Sequence, residues 1–399
     1  MVFCGIPACS YRYIVRSSDF LYGGGIKVFQ ELVNFLVINR SGELRNLGKI
    51  HNKTRIRQIL VNLALVLAST AIVLVFCELG LRVLGYSPSY FSPWAANLWR
   101  YDPLLGWINS EGQEGFLEHP QFKVSVKINS KNLRDIEHSL EKLNQTKRVL
   151  ILGDSFVWGF GVETEQRFTD IVQREIKSTT NEVEVINAGV SGWSTDQELL
   201  WLEKYGLDYD PDVVILLFYQ NDLEDNLRSM VNNFYRKPRF VPGDDGDLIL
   251  TGTPCPHASR VLLLLKYLRN HSSIIALVGN LTYRSGFNIG KLIFWNTDVS
   301  KDPDQEISLS FNLVTRINTL LSQKGIRFVL VTYCEGNQSC AALSSLAEQN
   351  GIILFNVDSL QGYSRDLMTI KHDGHWNAIG HSFVGKALTE FLQNQKLLQ

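Results

Sequence analysis

The apolar positions follow three different patterns along the chain. From Gln58 to Cys77 the sequence reads QILVNLALVLASTAIVLVFC, twenty residues without a charge. At about 1.5 Å per residue, such a helix crosses a hydrocarbon core of ~30 Å. A buried soluble helix of that length ordinarily carries a charge, so the run predicts one transmembrane signal anchor over 58–79. Further on, Phe122, Val124, Val126 and Ile128 alternate with polar residues. That period predicts one or two half-buried strands in a juxtamembrane segment, 80–146. From Arg148 onward, short apolar runs alternate with helical patterns. Strands are expected at 148–154, 182–189, 211–220, 325–333 and 351–357. Helices are expected near 165–178, 195–206, 305–323, 340–350 and 377–394. This alternation predicts an α/β domain over 147–399, a three-layer α/β/α sandwich around a five-stranded parallel sheet.

About eighty residues, 223–304, are surplus to that pattern. They include RVLLLLKYLRNHSSIIALVG, an apolar run broken by Lys266, Arg269 and His271. It reads as a helical insertion packing near the site rather than a second span. Residues 1–57 form the N-terminal segment. The stretch Val28–Ile38 is too short to span and reads as an amphipathic surface helix or a poorly ordered tail. No function is assigned to it.

Charge sets the direction of the anchor. Arg40, Arg45, Lys49, Lys53, Arg55 and Arg57 precede the apolar run, opposed by Glu43. Basic flanks stay in the cytoplasm. The expectation is a single-pass membrane protein with its C-terminal domain outside the cytoplasm. The whole chain has 39 Lys+Arg against 40 Asp+Glu, a net charge of -1. That balance argues against a nucleic-acid partner. Six cysteines without a CxxC pair argue against a zinc ribbon or a dithiol redox site. Cys334 and Cys340 lie six apart and would form a local disulfide in an oxidising compartment, with free buried thiols as the alternative.

In open parallel sheets, ligands bind at the carboxyl ends of the strands. The first strand ends in Gly153-Asp154-Ser155-Phe156. The second ends in Asn187-Ala188-Gly189-Val190-Ser191-Gly192, and the third in Gln220-Asn221-Asp222. His372-Asp373-Gly374-His375-Trp376-Asn377 precedes the last helix. This set suits acyl transfer. A serine hydroxyl needs a neighbouring base, histidine serves near neutral pH, and a carboxylate fixes its tautomer. Glycine amides and an Asn carboxamide supply donors for the oxyanion.

These four blocks resemble the SGNH/GDSL hydrolase family, in its order, over roughly 147–399. The resemblance implies a flavodoxin-like sheet of order 2-1-3-4-5, with Ser155 as nucleophile and His375 as base. It also implies an oxyanion hole made by the amides of Ser155 and Gly192 and the side chain of Asn221. No metal or organic cofactor is implied. One departure stands out. The family's common Asp lies three residues before the His, where this chain has His372. Asp373 lies two before, a spacing similar to that of the alginate-acetylating branch, and is taken as the orienting carboxylate.

Plainer readings accompany each residue. Ser155 could cap a helix, Asp154 reads as a structural hydrogen-bonding residue, and Gly189 and Gly192 could simply permit a turn. His381 reads as a surface or packing residue, and Trp376 as packing beside His375. Trp158 and Trp193 could line a groove or fill the core. A dinucleotide-binding fold is excluded by GDSFVWGFG, which fails the G-x-G-x-x-G spacing. The expected activity is serine-dependent ester hydrolysis that removes acyl (acetyl) groups from a carbohydrate or similar ester outside the cytoplasm. The alternatives are an O-acyltransferase acting on a surface polysaccharide with a multi-span acyltransferase partner, and a catalytically silent polysaccharide-binding protein.

Overall fold

The computed structural model describes residues 49–84, 97–119, 121–177, 182–231, 235–243, 247–257, 302–371 and 373–398, with scattered positions between 264 and 278. The expected N-terminal surface helix, most of the apolar insertion and His372 lie outside the described residues. Among those described, one helix is long and apolar enough to cross a membrane, Arg57–Val83. It belongs to α1 (Lys49–Val83), whose apolar side chains are exposed all around. A helix apolar on every face gains nothing from a single buried stripe and suits an apolar surround.

The second unit begins with two antiparallel hairpins. These are β1 (Trp99–Asp102) with β2 (Gly106–Asn109), and β3 (Glu114–His119) with β4 (Phe122–Lys127). The alternating run thus pairs as β4, with Val124 and Val126 buried and the residues between them exposed.

The α/β core follows in chain order. It comprises β5 (Lys147–Leu152), α2 (Ser155–Trp158), α3 (Phe168–Lys177), β6 (Val183–Asn187), α4 (Thr195–Lys204), β7 (Val213–Tyr219) and α5 (Asp222–Asp225). The insertion contributes β8 (Met230–Val231), β9 (Tyr235–Arg236), β10 (Arg239–Pro242) and β11 (Leu248–Thr251), paired as two small hairpins. The stretch 236–250, whose sequence RKPRFVPGDDGDLIL reads as a loop, thus carries short paired strands. The remainder is α6 (Pro303–Gln323), β12 (Arg327–Tyr333), α7 (Gln338–Gln349), β13 (Ile353–Asn356), α8 (Arg365–Met368) and α9 (Ala378–Asn394).

The main sheet has the order β13-β12-β7-β5-β6, and every pairing is parallel. Numbered by appearance within the sheet, that is 2-1-3-4-5, as expected. Both faces are covered, which is why the strands read as unbroken apolar runs. One face packs α4, α6 and α7 through Leu199, Leu313, Ile317 and Leu343; the other packs α3 and α9 through Val172, Val384 and Leu388. Edge strand β6 is shielded. Asn187 N–H donates to Asp135 at 2.7 Å, and His138 bonds Glu184 at 2.6 Å. Such cover keeps an edge from pairing with another chain. Four strands stop one or two residues short of the apolar pattern at their carboxyl ends, and after β5, β6 and β7 the chain turns out of the ladder at the candidate site.

Trp158 and Trp193 are fully buried, so core packing rather than groove lining is their role. His381 is buried too, its Nδ1 accepting from the Phe168 N–H at 3.1 Å. Cys334 and Cys340 are disulfide-bonded across the turn after β12.

Candidate active site

The nucleophile turn is built by hydrogen bonds local to β5. Asp154, not Ser155, caps α2: its carboxylate accepts from Phe156 N–H at 2.9 Å. The plainer reading of Ser155 as the cap is thereby replaced, and its hydroxyl is free for another partner. That partner is His375, whose Nε2 lies 2.7 Å from Ser155 Oγ. On its far side His375 Nδ1 bonds Asp373, which also accepts from the His375 backbone N–H at 3.3 Å. The shortened Asp-x-His spacing therefore closes in one step, because Gly374 between them has φ +98°, a turn that favours glycine. Phe156 and Phe160 place tilted rings 5.0 and 4.5 Å from the imidazole and wall it on the protein side. Trp376 is buried edge-on to Phe156, not against His375 itself.

Two carboxyls beside this chain of bonds are shifted in opposite directions. Burial pushes Asp373 up, but the hydrogen bonds and charge of His375 outweigh it, so the carboxyl titrates below its ordinary range. Burial dominates at Asp154, which is pushed up to about 6 despite the Phe156 N–H and the nearby His375. Its Oδ2 lies 3.5 Å from Ser155 Oγ.

Gly192 and Asn221 stand at the ends of β6 and β7. Gly192 has φ +81° in the turn Val190–Trp193, which the Trp193 N–H closes onto Val190 C=O at 3.1 Å. Gly189 is required for a different reason: a Cβ there would sit 2.3 Å from the Trp158 backbone nitrogen in α2. Asn221 contacts Asp154 through a side-chain hydrogen bond, and its Nδ2 donates to Asp225 at 3.4 Å. Its Oδ1 is buried without a partner among the described residues.

Several supports were not read from the sequence. Trp107 donates to Ser191 C=O at 3.1 Å and accepts, through its own carbonyl, from Trp193 Nε1 at 2.8 Å, pinning the Gly192 turn. Asn109 Oδ1 accepts from Trp158 Nε1 at 3.1 Å. The buried Arg134 guanidinium donates to the carbonyls of Trp158, Gly159 and Val162 at 3.1, 2.6 and 2.8 Å, fixing the loop that carries Phe160. Burial and the neighbouring Arg167 lower its pKa to about 9. All three lie in the segment before the sheet. Their only signal was the density of aromatic and polar residues there.

Among the described residues, no group of three His, Cys, Asp or Glu side chains is placed to hold a metal. The arrangement can activate a serine hydroxyl beside the glycine turn that follows β6.

Residues 151–286 match the GDSL-like Lipase/Acylhydrolase family. No curated protein matches the chain. Among solved structures, it is similar to the psychrotrophic esterase EstA from Pseudoalteromonas sp., at 13% identity over 62% of this chain and 98% of that one, with a TM-score of 0.37. A lipase/acylhydrolase from Enterococcus faecalis shares 16% identity over 63% and 97%, with a TM-score of 0.35. A GDSL-like lipase from Bacteroides thetaiotaomicron VPI-5482 shares 12% over 65% and 93%, with a TM-score of 0.35.

Proposed function

We propose that this chain, whose residues 151–286 match the GDSL-like Lipase/Acylhydrolase family, is a serine-dependent ester hydrolase acting outside the cytoplasm. The observation that carries this reading is the hydrogen-bonded series from Ser155 through His375 to Asp373. Ser155 Oγ attacks the acyl carbonyl while His375 Nε2 takes its proton. Asp373 holds the Nδ1–H tautomer and offsets the imidazolium charge. The amides of Ser155 and Gly192 and the Asn221 carboxamide receive the oxyanion. Collapse of the tetrahedral species breaks the C–O bond, and His375 returns the proton to the leaving alkoxide. Water, deprotonated by His375, then attacks the acyl-enzyme and releases the acid.

The substrate we infer is an acyl ester, with acetyl on a carbohydrate as the first to test. α1 would anchor the catalytic domain to the outer face of the membrane. Two observations support that side: the basic residues preceding the apolar run, and the disulfide of Cys334 and Cys340.

The second reading is transfer to a sugar hydroxyl in place of water, with a multi-span acyltransferase partner supplying the acyl group. The Asp-x-His spacing favours it, and the Asp373–His375 contact gives that spacing its function. A silent binding protein is disfavoured, because it has no use for a hydroxyl 2.7 Å from an imidazole nitrogen. The test is acetate release from p-nitrophenyl acetate and from an acetylated polysaccharide by the full chain in detergent. An equivalent assay with an acceptor oligosaccharide distinguishes transfer from hydrolysis.

A further inference from the structure

β6 and β7 are not neighbours in the sheet, because β5 lies between them. Gly192 follows β6 and Asn221 follows β7, so no ladder hydrogen bond fixes the width between these two oxyanion donors. Side chains bridge it instead. Lys237, between β9 and β10 of the insertion, is 1% exposed. Its ammonium bonds Asp196 Oδ2 at 2.5 Å and donates to Asp225 C=O at 2.8 Å. Asp196 lies in the first turn of α4, four residues beyond Gly192. Asp225 closes α5, the turn that Asn221 opens. Lesser ties run the same way. Thr195 Oγ1 donates to Asp222 at 3.3 Å, and Asp196 N–H donates to Asn226 Oδ1 at 3.2 Å.

The charge count under the site makes Lys237 distinctive. Asp154, Asp196, Glu198 and Asp222 are all buried there. Asp225 is buried as well and pairs with Arg228 at 3.3 Å; among the described residues, Lys237 is the one cation hydrogen-bonded to any of the other four. Among the described residues, Glu198 has no partner at either oxygen, and Asp222 has none at Oδ1. Buried carboxylates without donors take up protons rather than stay charged. The contact of Asp196 with Lys237 is therefore the tie in this layer made to a cationic side chain.

We propose that Lys237 is a positioning residue for the oxyanion hole, holding the Gly192 and Asn221 turns at the separation the oxyanion requires. The inference rests on the site reading above. It assigns to the insertion, which the minimal fold does not need, a part in the reaction.

The experiment is a double-mutant cycle on the full chain with p-nitrophenyl acetate. Lys237→Met should lower kcat by about 10-fold to 100-fold, as small misplacements of reacting geometry do. KM should move by less than about threefold. In the Asn221→Ala background, Lys237→Met should cost less than about threefold, because the donor it positions is already gone. Asp196→Asn with Lys237→Met removes both charges, avoids a lone buried carboxylate, and should show the same coupling. Equal losses in both backgrounds, a loss carried by KM, or a wild-type kcat in the charge-neutral double variant would overturn the proposal. An Asn221→Ala enzyme as active as wild type would instead overturn the oxyanion assignment itself, and with it the role of Lys237.

Discussion

Asp373 reaches Ser155 through His375 and Asp154 lies beside it directly, and their surroundings make them different groups. Asp373 sits at the rim, with about a quarter of its side chain exposed, and a histidine holds it ionised. Asp154 lies in a closed layer with Glu198 and Asp222, and burial raises it to about 6. The rim is where a charge must persist through a proton transfer. The layer beneath supplies hydrogen-bond geometry, and burial there shifts the carboxyls upward. The position of a carboxyl relative to water, more than its distance from Ser155, decides which task it can perform.

The largest effect expected from breaking this contrast is on the rim side. His375→Ala should lower kcat by about 10⁴-fold or more, and Asp373→Asn by about 10²- to 10⁴-fold, with the fold intact by circular dichroism. An Asp373→Asn loss below about tenfold would move the orienting role elsewhere. Asn221→Ala should cost about 10²- to 10³-fold in kcat with little change in KM, as the loss of one oxyanion donor does.

On the buried side the expected losses are in stability. Gly189→Ala forces a Cβ to within 2.3 Å of a backbone nitrogen, and overpacking of that kind costs about 1–3 kcal/mol. A lowered Tm would register it, while a neutral substitution would show that α2 can move. The smallest effect concerns pH. His381 is buried near Arg167 and Arg134, and burial first, then those charges, lowers it from 6.5 to about 3. The unfolded chain binds that proton below 6.5 and the folded chain does not, so stability falls as pH drops from 6.5 toward 3. The slope is at most about 1.4 kcal/mol per pH unit for this group. His381→Gln, which can still accept from Phe168 N–H, should remove that part of the slope in denaturant titrations.

The sheet was legible because its strands are buried on both faces and read as unbroken apolar runs, and because the first three end in residue sets suited to acyl transfer. The Asp-x-His contact was legible from spacing, since Gly374 leaves the backbone free to turn. Other features left no such trace. Trp107 and Trp193 meet across 86 residues, and Lys237 meets Asp196 across 41. No period or motif encodes those distances. The first part of the insertion, around Lys237, reads as loop because its strands are two to four residues long, below what alternation can reveal. The capping role fell to Asp154 rather than Ser155 because the two stand side by side at the start of the same helix, and only geometry separates them.

The central claim is that Ser155 carries the acyl group. The most direct measurement is acetate release by the full chain, from p-nitrophenyl acetate and an acetylated polysaccharide, beside Ser155→Ala. The account predicts turnover that falls by at least about 10³-fold in the variant, with an acetyl adduct of Ser155 trapped in the wild type. Turnover that survives Ser155→Ala, or its absence in folded wild-type protein with water and with acceptor sugar alike, would contradict it.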